Sequence, residues 1–145
     1  VKEIREAQSG DDGSYIIEKA DDFEFIFYSD IDKDEAVERV RYFLEGSDFK
    51  KGVIEPVGQP VSYPLENEVI SILSEYVRNG TQPIFTYYNG DYPEDTQNNP
   101  LSTPTRLQET KLMHVYLKIN VDPDRAPLDF ELESDVCLRN LKTNL

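Results

Sequence analysis

The stretch Phe23–Leu44, FEFIFYSDIDKDEAVERVRYFL, sets the fold of this chain. Phe23, Phe25 and Phe27 alternate with Glu24, Ile26 and Tyr28, the period of a β-strand with one strongly apolar face. Beyond an acidic loop, SDIDKDE at 29–35, Val40, Tyr42 and Leu44 alternate with Arg39, Arg41 and Phe43. Two such runs joined by a tight polar connection predict an antiparallel hairpin. Arg39 and Arg41 share a face, where they can meet Glu18 or Glu24 across the ladder. Gly46-Ser47-Asp48 then turns the chain into a third strand, FKKGVIE at 49–55, completing a meander.

Upstream, Tyr15–Lys19 reads as a short strand. VKEIREAQ at 1–8 carries apolar residues at Val1, Ile4 and Ala7, the spacing of the last turns of a helix, and SGDDG at 9–13 stops it. Downstream, the prolines and glycine of 56–64 predict a surface loop. Val69, Ile70, Leu73 and Val77 have helical spacing, but Val69, Ile70, Ile72 and Val77 are β-branched, so 66–77 reads as a short helix or turn feeding a strand. Asn79-Gly80 is a turn signal and PIFTYY at 83–88 a strand. NGDYPEDTQNNPLSTP at 89–104 is a long polar loop, expected to be mobile. In the clearest strand, Met113, Val115, Leu117, Ile119 and Val121 are the apolar set. Phe130, Leu132, Val136 and Leu138 follow past DPDRAP at 122–127, predicting a closing hairpin with one buried face.

Composition narrows the function classes. The 145 residues suffice for one domain with a real core. With 29 acidic against 15 basic residues the formal net charge is −14, which repels phosphate backbones and anionic membrane faces, so no nucleic-acid partner is expected. Nine Tyr and seven Phe argue against a disordered acidic chain. A single cysteine, Cys137, excludes an intrachain disulfide, and one histidine with it excludes a zinc site built mainly from those ligands. No apolar run is long enough to span a bilayer.

Few residues carry chemistry. Asp30, Asp32 and Asp34 offer hard oxygens at the alternate spacing of calcium loops, with Glu38 as an extra ligand in a different geometry. The match is partial: Glu35 stands at the sixth position, where glycine makes the turn, and Arg41 at the twelfth, where a bidentate glutamate belongs. The competing reading is a solvated, self-repelling turn. His114 lies on the polar face of its strand with no partner indicated, and Cys137 falls off the core-facing register, so no catalytic pair is expected and the protein is read as a non-enzyme. Strand propensity assigns Tyr87 and Tyr88 to the core. Tyr63 is a further tyrosine near a loop, and Tyr92, with Asn89 and Asp91, is the better ligand-recognition set.

The order of segments resembles the globular part of type IV pilin-like proteins, the minor pilins and the J-type pseudopilins of type II secretion. The resemblance runs through VKEIREAQ, DFEFIFYSDIDKDEAVERVRYFLEG at 22–46, FKKG at 49–52 and SILSEYVRNGTQPIFTYYNGD at 71–91. It continues in TRLQETKLMHVYLKINVDPDRAP at 105–127 and FELESDVCLRNLK at 130–142. It implies an α+β fold, with residues 1–13 as the end of a long N-terminal helix and linker and 14–145 as one β-rich head. It further implies an extracytoplasmic, non-catalytic subunit of a surface filament or secretion pseudopilus, held in the membrane only through an apolar helix preceding Val1. Partners would be other pilin-like subunits, met through the helix face of Val1 and Ile4 and through the sheet edges. No cofactor is implied; calcium at the aspartate loop is the one candidate. The disulfide of many major pilins has no counterpart here. The alternative class is an extracellular ligand- or surface-recognition domain using the 89–104 loop, calcium-stabilised or not.

Overall fold

A computed structural model describes residues 10–11, 16–104, 110–120 and 130–137. Among these residues eight strands form two antiparallel sheets. β1 (Ile17–Ala20), β2 (Glu24–Ser29), β3 (Glu38–Glu45), β4 (Asp48–Ile54) and β5 (Val69–Ser74) lie in sequential order in the first. β6 (Phe85–Tyr88), β7 (Leu112–Ile119) and β8 (Phe130–Cys137) form the second, again in order.

The predicted hairpin is present, with Phe25 opposite Tyr42 and Phe27 opposite Val40. Gly46, at φ 63, makes the next turn, and β4 pairs back on β3 with Arg39 opposite Ile54. The apolar faces of β1–β4 pack on those of β6–β8. Phe25 stands 5.9 Å from Phe85 and 6.0 Å from Tyr87, and Phe49 6.1 Å from Phe85, ring centre to ring centre. Ile17, Val40, Met113, Leu117 and Val136 belong to the same core. Its aromatic rings each remove a large apolar area from water, which is the main force holding the sheets together.

The α+β expectation is corrected. Among the described residues the helical content is a single 3-10 turn at Leu65–Asn67, no helix packs on either sheet, and the architecture is nearly all β. The helix end expected at 1–8, with Val1 and Ile4, lies outside the described residues. The other stretch with helical spacing, 66–77, forms the 3-10 turn and then strand β5. Its β-branched residues favour a pleated surface, and β4 offers an unpaired edge whose Gly52 and Val53 oppose Ile70 and Val69.

Two other expectations change. Loop 89–104 is drawn together rather than loose. Asn89 donates through Nδ2 to Asp95 (3.1 Å), Asn99 donates to Asn89 Oδ1 (2.9 Å) and to the Asp95 carbonyl (2.8 Å), and the Leu101 amide reaches the Tyr87 carbonyl at 2.8 Å. The closing hairpin is only partly buried: Val136 is fully covered, whereas Phe130 and Leu132 are exposed. Alternation assigns residues to a face; it does not supply the layer that covers the face.

Candidate functional site

The acidic loop is where the chain concentrates charge. β2 ends at Ser29 and β3 starts at Glu38, and between them lie half-buried Asp30 and exposed Asp32 and Asp34. Asp30 accepts from the amides of Asp34 (3.2 Å) and Glu35 (2.9 Å), and Asp34 accepts from the Ala36 amide at 2.9 Å. Lys33 at φ 62 and Glu35 at φ 73 adopt left-handed conformations. Glu35 therefore takes the backbone shape that glycine would give at the sixth position, at the cost of a side chain in a disfavoured region.

Glu38 joins the aspartates directly. One carboxylate oxygen from each of Asp30, Asp32, Asp34 and Glu38 lies within 4.8 Å of the others. Glu38 is 0 % exposed, its Oε2 accepts from the Ile31 amide at 2.7 Å, and its Oε1 is buried with no fixed hydrogen-bond donor among the described residues. Burial, with the nearby charges of Glu55 and Asp32, pushes its carboxyl up to about 8. Glu55 is raised as well, chiefly by partial burial and then by the charges of Asp32, Asp34 and Asp30. The register explains its presence: Arg39 pairs with Ile54, so the next residues along the ladder, Glu38 and Glu55, stand side by side. The signal lies in the sequence outside the loop, because the turn at Gly46 sets the pairing.

The other candidates fall elsewhere. Tyr92 is 43 % exposed, its ring 4.2 Å from that of half-buried Tyr88. Asn89 is spent on the loop network, and its Oδ1 also accepts from the Asp91 amide at 3.0 Å. Tyr87 is fully buried, as expected, and donates to the Asp21 carbonyl at 2.7 Å. Tyr63 is structural: its ring lies 5.1 Å from Tyr28 and its hydroxyl donates to the Val37 carbonyl at 2.7 Å. His114 does have a partner, Asp135 at 2.6 Å across the β7–β8 ladder, with Glu133 at 3.7 Å from its other nitrogen. With carboxylates near both ring nitrogens it is a polar pairing position on the sheet surface. Cys137 is exposed at the end of β8.

Arg39 and Arg41 find the partners read from the sequence. Arg39 reaches Glu18 through two bonds of 3.1 and 2.6 Å, and Arg41 reaches Glu24 at 3.0 Å. Glu68 was not foreseen; it arrives from the far side of the 56–64 loop. A shallow depression of about 450 Å³ lies beside Lys19, Asp22, Glu24 and Arg41, but both cations there are already bonded to Glu24.

β5 is the most unusual surface. Val69 is 72 % exposed and Ile72 52 %, with Ile70 and Leu73 close behind, although all four lie in a strand. The core draws on β1–β4 and none of its residues comes from β5, because the three-stranded second sheet does not cover a fifth strand. Among the described residues no strand pairs with the outer edge of β5. No described helix is long and apolar enough to cross a membrane.

No family model, curated protein or solved structure matches this chain.

Proposed function

We propose that this domain is the non-catalytic head of a filament subunit of the pilin-like kind, carried on a pilus or a secretion pseudopilus outside the cytoplasm. It joins neighbouring subunits of the same kind along the edge of β5. The observation that carries this reading is the open, apolar edge VISIL at 69–73. An exposed edge strand with a row of large apolar side chains is a template for strand pairing with another chain. On a chain of formal charge −14, two like subunits repel over most of their surfaces, and the uncharged run 69–74 is where they meet with least repulsion. The order of segments shared with pilin-like heads supports the same reading.

The coding sequence upstream of Val1 tests it. A short basic leader, a cleavage site and about 20 apolar residues running into VKEIREAQ are expected. Another soluble domain, or a plain start codon at that point, overturns the reading. A second reading, ligand recognition by the 89–104 loop, rests on the adjacent rings of Tyr88 and Tyr92 at the loop surface.

A further inference from the structure

The β2–β3 loop holds more than a cluster of acids. Glu38 is wholly buried, and one of its two carboxylate oxygens has no donor among the described residues other than a proton shared with Glu55. A buried carboxylate oxygen left unpaired is costly, and native interiors rarely keep one without a proton, a water or an ion to satisfy it. The groups around this one are carboxylates themselves: Asp30, Asp32 and Asp34 in the loop and Glu55 just past the end of β4. A proton shared with Glu55 satisfies Glu38 alone and leaves the three aspartates facing one another; a cation satisfies all of them at once.

We propose that Asp30, Asp32, Asp34 and Glu38 form a calcium site, with Glu55 as the supporting charge. The oxygens of a calcium shell lie about 2.3–2.6 Å from the ion, so two of them stand at most about 5 Å apart. The four oxygens here fall within 4.8 Å of one another, inside that limit. Ligand type agrees: calcium takes six to eight oxygens in a flexible arrangement, and the exposed side of the loop leaves room for water to complete the shell. The loop is not a helix–loop–helix calcium hand. Its twelfth residue, Arg41, faces Glu24 and Glu68, and Glu38 at the ninth position takes over as the buried anchor. The ion would lock the loop to the first residue of β3, so binding and folding of this end of the sheet are linked. The inference is independent of the filament reading and of the β5 edge.

Calorimetric titration of the chelator-treated protein with calcium chloride tests it, with thermal unfolding followed in parallel. One saturable site is expected, with a dissociation constant between about 10⁻⁵ and 10⁻³ M and a melting temperature that rises with calcium concentration. Glu38→Gln and Asp32→Asn should each weaken binding at least tenfold. Asp91→Asn, an acid outside the loop, should leave it unchanged. Asp34→Asn, at an exposed position, repeats the test should Glu38→Gln fail to fold. No saturable binding at 10 mM calcium (about ten times the weakest constant expected) overturns the proposal. So does equal loss in Asp91→Asn, which would mark diffuse attraction to an acidic surface.

Discussion

Arg41 and Glu68, 27 positions apart, are joined by two parallel hydrogen bonds of 2.9 and 2.6 Å. The Glu68 carboxylate lies directly over Gly52, in space that any β-carbon at that position would fill. This fork ties the 3-10 turn before β5 to the middle of the first sheet, and so fixes where β5 starts. Bidentate pairs of this kind are among the stronger polar interactions, and the Glu68 side chain is only 12 % exposed. Glu68→Ala should destabilise the fold by about 1–3 kcal/mol. Gly52→Ala should destabilise it as well, by displacing the carboxylate, and should cost clearly less in the Glu68→Ala background than alone. Urea unfolding of the two single variants and the double variant measures that coupling.

Ile72→Lys separates folding from assembly. Ile72 lies in β5 at 52 % exposure and contributes nothing to the inter-sheet core, so stability should change by no more than about 0.5 kcal/mol. Charge on an edge strand is a natural device against strand addition. Sedimentation equilibrium at millimolar concentration should show self-association of the parent chain weakening in the variant, whereas a core change such as Phe25→Ala should lower stability by about 3–5 kcal/mol.

Acid should loosen the first sheet through Glu24. Its partial burial raises the carboxyl, but hydrogen bonds from Lys19 and Arg41 outweigh that and hold it below the ordinary value of 4.5. A carboxylate lowered in the folded state stabilises above its unfolded value and loses that stabilisation as pH falls through its folded value. Stability should therefore decline as pH drops below 4.5, and Glu24→Gln should be less stable than the parent at pH 7 but show a shallower decline. Urea midpoints at a series of pH values read both effects.

Loop 89–104 depends on Asn99, which donates to Asn89 and to the Asp95 carbonyl while its Oδ1 accepts from the Asn89 amide at 2.9 Å. Asn99→Ala removes three bonds together. Limited proteolysis and amide exchange within 90–98 should accelerate several-fold, while the amides of β7, outside the loop, keep their protection.

Much of this molecule was legible locally. A strand needs only a side-chain period of two, and β2, β3 and β7 each show it within a handful of residues. The turn at Gly46 even sets the register that places Glu38 beside Glu55, and the pairings of Arg39 with Glu18 and Arg41 with Glu24 followed from one shared face. The calcium-like spacing of Asp30, Asp32 and Asp34 was equally plain. By itself, then, the sequence determined an acidic, aromatic-cored meander with a charged loop at one end.

Burial and partnership are set by what lies across a gap, and no local pattern encodes that. The stretch 66–77 carried both helical and strand signals, and the free edge of β4 decided between them. Phe130 and Leu132 alternate as core residues do, yet stay exposed, and β5 is left bare because five strands are covered by three. His114 gained Asp135 only through the β7–β8 register. Glu38, the first residue of β3, is wholly buried, with one oxygen that has no fixed donor among the described residues, and no local pattern foretold that burial. Tertiary structure turned an acidic turn into a candidate ion site by enclosing one of its carboxylates, since desolvation is what makes an unpaired charge demand a partner.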